Sequence, residues 1–314
     1  MSFEECFLKN KAILMEGALG ERLKREYGLK IDGTVAMASL VYSDEGRSAL
    51  KNLWKGYADI AKRHNLPFIA TTPTRRANKE RIAKSGYGDK IIKDNVDFLR
   101  SIQSEFKCES YIGGLMGCRG DAYTGEGRMN TDEAEEFHSY AAKLFKKAGV
   151  DFLYAGIMPC IDEALGMAKA MEKTGLPYII SFMIRKDGCL IDGTSIAKAI
   201  EFIDNNTERK PICYMSNCVH PTVLESALSQ EFNVDSPYIK RILGLQANTS
   251  PLSPEELDNA KELLVSKPKE LADKMESLDN KFGIKIWGGC CGTDNRHIEE
   301  FAKRILSKNA EYNL

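Results

Sequence analysis

The feature that most constrains the fold is an alternation of short apolar runs with longer amphipathic stretches along all 314 residues. The runs are continuously apolar, which is typical of parallel strands buried on both faces. The longer stretches, such as 46–64 and 89–106, carry apolar residues at helical spacing. Eight β-α units result, and their predicted strands are 11–19, 67–72, 109–117, 150–157, 177–184, 211–218, 241–247 and one that opens at 285–287.

Eight such units in about 300 residues predict an α/β fold, a TIM-type (β/α)8 barrel with a parallel eight-stranded sheet. A doubly wound open sheet is the alternative, although it needs no closure and often has fewer strands. No linker or repeat interrupts the sequence, so we expect 1–314 to form a single domain. Ser253-Pro254-Glu255-Glu256 predicts a helix start, with a cap, a proline in the first turn and then acids.

Composition excludes several classes of protein. The net charge of −1 offers no electrostatic footprint for nucleic acid or for an anionic membrane. No apolar run approaches the roughly 18 residues of a membrane span, and the first residues do not read as a signal peptide. Nine cysteines without a framework spacing predict a reduced, cytoplasmic protein whose thiols are core residues or ligands.

Two adjacent cysteines stand in the glycine frame of Gly288-Gly289-Cys290-Cys291-Gly292-Thr293, at the end of the last predicted strand. Neighbouring strand residues point to opposite faces, so two adjacent thiols converge only where glycines let the strand break. Cys218 ends the sixth predicted strand and supplies a third thiol at the same edge of a barrel. The sequence therefore predicts a Zn²⁺ site made of Cys218, Cys290 and Cys291, with one position open.

Alternatives to this metal site stay open at this stage. Cys218 alone would serve as a small core residue, and the adjacent cysteines could form a vicinal disulfide with a redox role. His220 is an alternative ligand close to Cys218.

Three thiolates and one open position favour a particular chemistry. Zinc held in this way activates water poorly, but an incoming thiol loses its proton on binding and remains nucleophilic. The predicted reaction is alkylation of a thiol by an activated methyl group. A non-catalytic zinc-binding barrel that acts as a partner subunit or thiol sensor is the alternative from another class.

Asn217-Cys218, the block 288–293 and Glu16-Gly17-Ala18-Leu19-Gly20 together resemble the homocysteine S-methyltransferase family. The resemblance covers essentially the whole chain. It implies a (β/α)8 barrel, zinc on Cys218, Cys290 and Cys291, and homocysteine sulfur in the open position. The implied partners are a small-molecule thiol and a free donor such as S-methylmethionine, S-adenosylmethionine or a betaine. A corrinoid route would require a separate corrinoid protein.

This sequence departs from the family pattern where homocysteine's amino acid group would bind. Glu16 stands where the family usually has an aspartate, and Gly156-Ile157 stands where it usually has a glutamate-threonine pair. An unpaired buried ammonium costs several kcal/mol. Either Glu16 alone takes the amine, or the acceptor is a different thiol. The predicted substrate-binding residues are Glu16, Gly17, Ala18, Thr72, Asn217 and Asn248.

Two further loops follow predicted strands at the same edge. The glycine-rich stretch 118–130 is a candidate lid, or an ordinary exposed loop. Arg75 and Arg76 either meet a substrate carboxylate or form a solvated basic pair.

Overall fold

The eight strands close into one barrel in the order β1-β2-β3-β4-β5-β6-β7-β8, and every neighbouring pair is parallel. The computed structural model describes residues 1–31, 33–252 and 266–311. Pairing of β8 with β1 confirms the predicted (β/α)8 barrel and makes the open-sheet alternative wrong. The helix start predicted at 253–256 lies outside the described residues, and the single domain over 1–314 stays a prediction.

Each predicted apolar run contains or overlaps one strand, although the strands are shorter. The first is the most reduced, although the backbone of Glu16, just beyond it, still bonds to Ile69 of β2 and to Gly289 of β8. The strands are β1 Ile13–Met15, β2 Phe68–Thr71, β3 Ser110–Gly117, β4 Phe152–Met158, β5 Tyr178–Phe182, β6 Cys213–Val219, β7 Ile242–Ala247 and β8 Ile286–Gly289.

Helices surround the barrel. The short helices 3–9, 20–27 and 79–85 were not predicted from the sequence. Two 3₁₀ turns, Met37–Tyr42 and Pro237–Arg241, add to them. The helices are α1 Phe3–Lys9, α2 Gly20–Tyr27, α3 Asp44–Arg63, α4 Lys79–Ser85, α5 Lys90–Gln103, α6 Thr131–Ala148, α7 Ile161–Glu172, α8 Ile196–Asn205, α9 Pro221–Leu228, α10 Glu231–Val234, α11 Pro268–Phe282 and α12 Asn295–Glu311.

Helix α1 covers the amino-terminal end of the barrel. Its apolar residues form one buried cluster with the first residues of several strands, including Ile13 and Ile286. The ring of Phe3 stacks on that of Phe152, with centroids 4.1 Å apart. A second, larger core fills the layer between the strands and the outer helices. With the amino end filled, the open groups of the barrel lie at the carboxyl ends of the strands.

Over the described part of the chain, no helix combines the length and the apolar character needed to cross a bilayer.

Candidate functional site

The predicted trio of cysteines comes together at the carboxyl ends of β6 and β8. The sulfur atoms of Cys218, Cys290 and Cys291 all lie within 4.8 Å of one another, and those of Cys290 and Cys291 are 4.0 Å apart. Two sulfurs at 2.3 Å from one tetrahedral zinc would be roughly 3.8 Å apart. The spacing therefore suits a shared ion, and it is far longer than a disulfide bond of about 2.05 Å. We call these three residues the cysteine trio.

A break in β6 frees Cys218 from the ladder. The register between β6 and β7 shifts between Asn217 and Val219, and Cys218 adopts φ +60°. A residue other than glycine in this left-handed region is uncommon and costs on the order of 1 kcal/mol or more. The surrounding β6–β7 pairing holds this strained residue in place. Such irregular positions in strands are common next to functional sites.

The glycines beside the cysteine pair are required by close contacts. Gly292 has φ +81°, and a Cβ added there would lie 1.9 Å from Oγ1 of Thr249. A Cβ added to Gly289 would lie 2.3 Å from Oγ1 of Thr293. Because both side chains pack directly on glycine backbone, the turn that carries the two thiols has little room to rearrange.

Hydrogen bonds within the turn and from the segment 18–21 fix its conformation. The hydroxyl of Thr293 donates to the carbonyl of Cys290 at 2.7 Å and accepts from the backbone N–H of Ala18 at 3.1 Å. The carboxylate of Glu21 accepts from the backbone N–H of Gly292 at 2.7 Å. The predicted residue Ala18 thus contacts the loop that holds the trio.

The three thiols share protons and charge. Hydrogen bonds from Cys218 and Cys290 lower the pKa of Cys291 to about 3. Hydrogen bonds to Cys218 and Cys291, together with burial, raise the pKa of Cys290 well above its ordinary value. One thiolate is stable at neutral pH, whereas three thiolates this close need a bound cation to offset their repulsion.

Glu16 lies at the mouth of the barrel, but its carboxyl group is already bonded to the protein. It accepts hydrogen bonds from the indole N–H of Trp54 at 2.7 Å and from the backbone N–H of Thr71 at 3.1 Å. The hydroxyl of Thr71 donates to it as well. Burial raises the pKa of Glu16 to about 7. Its predicted role beside an amine stays a prediction, and its acceptor sites are taken up by Trp54 and Thr71.

The end of β4 offers no charged group. The register with β5 shifts between Ala155 and Met158, and Ile157 has φ +59° with its side chain buried. A Cβ added to Gly156 would lie 2.8 Å from Cδ1 of Leu115, so even a small side chain there would force a shift. The amine end of an amino acid finds no partner on this strand.

The other predicted substrate residues take part mainly in contacts within the protein. The hydroxyl of Thr72 accepts from the backbone N–H of Leu115 at 3.1 Å, which joins β2 to β3. Oδ1 of Asn217 accepts from the backbone N–H of Ile157 at 3.1 Å and from the hydroxyl of Ser181 at 2.8 Å.

The remaining two, Gly17 and Asn248, also pack or bond locally. A Cβ at Gly17 would lie 2.8 Å from the hydroxyl of Tyr57, and Oδ1 of Asn248 accepts from Ser250 N–H at 3.4 Å. These contacts position the backbone at the barrel mouth. The predicted contacts of Gly17 and Asn248 with substrate stay predictions.

His220, the alternative ligand, caps a helix. Its Nδ1 accepts a hydrogen bond from the backbone N–H of Thr222 and caps α9, and its Nε2 lies 3.2 Å from the hydroxyl of Ser266. Burial lowers the pKa of His220 to about 4, so the ring is neutral. Among the described residues, the group that could hold a metal consists of the three cysteines alone.

Two cavities reach the cysteine trio. The first, of about 350 Å³, touches Cys218 and is lined by Tyr123, by apolar side chains such as Met183 and Ile191, and by the charged residues Arg185, Lys186 and Asp187. The second, of about 720 Å³, touches Cys291 and is lined by Arg75 and Arg76. The trio therefore adjoins one cavity that combines an aromatic ring and apolar side chains with charges of both signs, and a second cavity whose described charges are mainly positive.

Tyr123 is a residue of this site that the sequence did not single out. It belongs to the loop 118–130, where the carboxylate of Asp121 accepts from the backbone N–H groups of Tyr123 and Thr124. The negative charge of Cys218 and burial raise the pKa of Tyr123, so its hydroxyl keeps its proton. A lone aromatic residue in a glycine-rich loop after a strand end is the signal that could have identified it.

The loop that carries Tyr123 is anchored at its start. The backbone N–H of Arg119 donates to the buried carboxylate of Glu163 at 2.7 Å, and the Arg119 side chain forms an ion pair with Glu80 at 2.8 Å. Movement of this loop as a lid stays a prediction.

Comparison with known proteins gives concordant results. A family model described as homocysteine S-methyltransferase matches residues 13–305. YbgG of Bacillus subtilis (strain 168), a homocysteine S-methyltransferase, is 27% identical over 187 residues. That alignment spans 58% of this chain and 56% of the relative, which is a little over half of each.

Solved structures of the homocysteine methyltransferase MmuM from Escherichia coli share the fold. The oxidized form superposes with a TM-score of 0.74 at 17% identity, covering 94% of this chain and 97% of that one. The metallated form gives 0.72 at the same identity and coverage. At this identity the likeness establishes the shared barrel.

Proposed function

Because the chain belongs to the homocysteine S-methyltransferase family, we propose that it is a zinc-dependent enzyme that moves a methyl group from a small-molecule donor to a thiol. Homocysteine is the acceptor that family membership favours, with methionine as the product. The donor is a free molecule with an activated methyl group, of the S-methylmethionine, S-adenosylmethionine or betaine kind. The observation that carries the proposal is the convergence of three cysteine sulfurs within 4.8 Å at the barrel mouth.

The donor set fits zinc. Thiolates are soft ligands that select zinc over the harder divalent ions, and three protein ligands leave the fourth position open. Cys218, Cys290 and Cys291 would hold the ion. MmuM, which shares the fold, has been solved in a metallated form. When bound, zinc would lower the pKa of an incoming thiol so that it is deprotonated at neutral pH.

The chain's own residues would position the reactants. The Thr293 and Gly292 contacts fix the turn that presents two of the sulfurs, so the acceptor sulfur would be held at a constant place. Tyr123 lines the cavity beside Cys218 and would exclude water from one side of the reacting atoms. Fixing two reactants in line replaces a bimolecular encounter and accounts for much of the rate in reactions of this type.

The proposed transfer balances without another reagent. The thiol proton passes to solvent, the sulfur–methyl bond forms, and the bond between methyl and donor breaks with its electron pair staying on the donor. A sulfonium donor becomes a thioether in this way, and a quaternary ammonium donor becomes a tertiary amine.

The test is an assay of zinc-loaded protein with homocysteine and each donor class, with methionine formation followed by mass spectrometry. We expect turnover with at least one donor, one zinc per chain, and loss of both in Cys290→Ser. Cys108→Ser is the matched control, because Cys108 precedes β3 at the opposite end of the barrel and should keep both. Absence of turnover with every donor in a sample of full zinc content would contradict the proposal.

A further inference from the structure

We propose that the acceptor thiol is recognised through an anionic tail, a carboxylate bound by Arg75 and Arg76, and that recognition does not depend on an ammonium group. The inference rests on the proposed function, since it assumes that a thiol sulfur sits at the cysteine trio. The substrate class is a short mercaptocarboxylate, of which homocysteine is one member. We call the cavity of about 720 Å³ that joins Cys291 to the arginine pair the basic cavity.

The basic cavity has the dimensions of a small-molecule site. Such sites commonly enclose a few hundred to about 1,000 Å³. Cys291, Arg75 and Arg76 all line it, so a ligand with its sulfur at the trio can extend its other end toward the guanidinium groups. A thiol and a carboxylate on one short chain would meet both.

The charge in this cavity is mainly positive. Among the residues that the structure describes, its charged lining consists of the four cations Lys24, Arg25, Arg75 and Arg76 and one carboxylate, Glu21. Glu21 is already engaged, since one oxygen accepts from the backbone N–H of Gly292 and the other pairs with Arg25 at 2.7 Å.

The two central guanidinium groups have no partner of their own. Within the described residues, neither Arg75 nor Arg76 forms an ion pair or a hydrogen bond. The negative charge of Asp121 favours the charged form of Arg76. Its carboxylate forms hydrogen bonds with the backbone N–H groups of Tyr123 and Thr124, and none with Arg76. Burial and repulsion from Arg81 and Arg75 lower the pKa of Arg76. Two adjacent, half-buried guanidinium groups without partners suit a planar carboxylate, which accepts their paired N–H donors.

Among the described residues, the carboxyl ends of β1 and β4 offer no free carboxylate for an ammonium group, and Asp187, in the cavity beside Cys218, accepts from the backbone N–H of Cys189. Glu16 accepts from Trp54 and Thr71, and its raised pKa keeps part of it neutral near pH 7. The end of β4 presents Gly156 and the buried Ile157. An amine on the acceptor therefore gains little here, whereas a carboxylate gains the arginine pair.

The carboxylate tail is assigned to the acceptor thiol rather than to the methyl donor because the two cavities touch different cysteines. The basic cavity reaches Cys291, and the other cavity reaches Cys218 beside the ring of Tyr123. The aromatic ring of Tyr123 suits the cationic methyl group of a sulfonium or ammonium donor, and the charged side chains of that cavity are Arg185, Lys186 and Asp187. The acceptor would then occupy the basic side and the donor the aromatic side.

The first arm of the test compares thiols on the zinc-loaded protein by isothermal calorimetry and by steady-state kinetics. Homocysteine carries both groups, 4-mercaptobutanoate lacks the amine, and 3-mercaptopropylamine lacks the carboxylate. We expect 4-mercaptobutanoate to bind within about fivefold of homocysteine and 3-mercaptopropylamine to bind at least about 10-fold more weakly, the scale of a lost charged hydrogen bond. The reverse order would overturn the inference.

The second arm uses Arg75→Gln and Arg76→Gln, singly and combined. We expect the double variant to raise the Kd and KM of both carboxylate thiols by about 10- to 100-fold. The zinc content should stay at one per chain and the affinity for 3-mercaptopropylamine should not change. Arg100→Gln is the matched control, because Arg100 pairs with Asp151 at 2.8 Å and lines neither of the two cavities.

The two proposals fail in different ways. If no donor supports methyl transfer to any thiol, the proposed function fails, and calorimetric thiol binding still decides whether the arginine pair recognises the carboxylate. If methyl transfer proceeds but the double variant raises only the donor KM, the tail belongs to the donor and this inference is overturned. If turnover and thiol binding are both unchanged in the double variant, the inference alone fails.

Discussion

The carboxyl ends of β6 and β8 and those of β1 and β4 surround the same barrel mouth, but they present opposite kinds of groups. At β6 and β8, the sulfurs of Cys218, Cys290 and Cys291 lie within 4.8 Å of one another, and no other potential metal ligand joins them among the described residues. At β1 and β4, Glu16 is bonded to protein donors and Gly156 carries no side chain. The ends of β6 and β8 are available to bind an ion, whereas the polar groups at the ends of β1 and β4 already bond to other protein groups.

The difference indicates which part of a ligand the barrel can select. Atoms left without protein partners recognise a ligand, whereas satisfied atoms stabilise the wall around it. Under the proposed function, β6 and β8 would specify the sulfur of the substrate. Selection of the rest of the molecule would then depend on the loop after β2, where Arg75 and Arg76 lie, rather than on β1 and β4.

The largest effect is expected from substituting Cys218, and it can be compared with substitution of Cys213 in the same strand. Cys213 opens β6 and is fully buried, whereas Cys218 lies near its carboxyl end. We expect Cys218→Ala to abolish zinc binding and to lower methyl transfer by at least about 1,000-fold, because two sulfurs leave the ion poorly held. Metal analysis and the methionine assay measure this effect.

Cys213→Ala serves as the control for that pair. It removes a buried sulfur from the barrel interior and should lower the free energy of unfolding by about 1–2 kcal/mol while the zinc content is retained. Equal zinc loss in both variants would mean that the two ends of β6 do not differ as described.

The second prediction concerns the pH dependence of stability through Glu16. Its pKa is raised from 4.5 to about 7 in the folded protein, so the folded state binds the proton more tightly than the unfolded state. The resulting stability is fully present below pH 4.5 and is lost as pH rises through about 7. The full change is about 3 kcal/mol. Glu16→Gln, which mimics the protonated form, should remove this slope.

Urea unfolding of the wild type and of Glu16→Gln at pH 5, 7 and 8.5 measures the difference. The advantage of the variant over the wild type should grow with pH by up to about 3 kcal/mol. A constant difference across this range would mean that Glu16 is ionised throughout, and a carboxylate at β1 would again be able to balance an amine.

The smallest expected effect tests how tightly the turn at β8 is held. Gly292→Ala places a methyl group 1.9 Å from Oγ1 of Thr249, so the turn or Thr249 must move. We expect zinc affinity to fall by about 10- to 100-fold, as is typical when groups that support metal ligands are disturbed. Competition with a chromogenic chelator measures the affinity.

Gly193→Ala is the matched variant for this position. Gly193 has φ +85°, close to the +81° of Gly292, but an added Cβ there meets nothing within 4 Å. It carries the same backbone strain without the clash and should leave zinc affinity unchanged. An equal loss in both would assign the effect to backbone strain rather than to contact with Thr249.

The barrel and the trio could be predicted because their signals are local. Continuous apolar runs mark the eight strands, and the glycine frame around Cys290 and Cys291 marks a strand end. The third thiol followed from its position at the end of another predicted strand. Each of these inferences uses residues that are close in sequence.

The closed state of β1 could not be predicted, because the partners of Glu16 are distant. Trp54 lies 38 residues further along the chain and Thr71 lies 55 residues further. The left-handed backbone of Ile157 also opposes local preference, since a β-branched residue rarely adopts φ +59°. The basic cavity depends in part on α2, a short helix that the sequence did not predict.

Helix α1 fills the amino end of the barrel, and this has a kinetic consequence. With Phe3 stacked on Phe152 beneath the interior, both reactants and both products have to use the mouth at the other end. A thioether product left at that mouth would block entry of the next thiol. We therefore expect the thioether product to inhibit the enzyme competitively with the acceptor thiol.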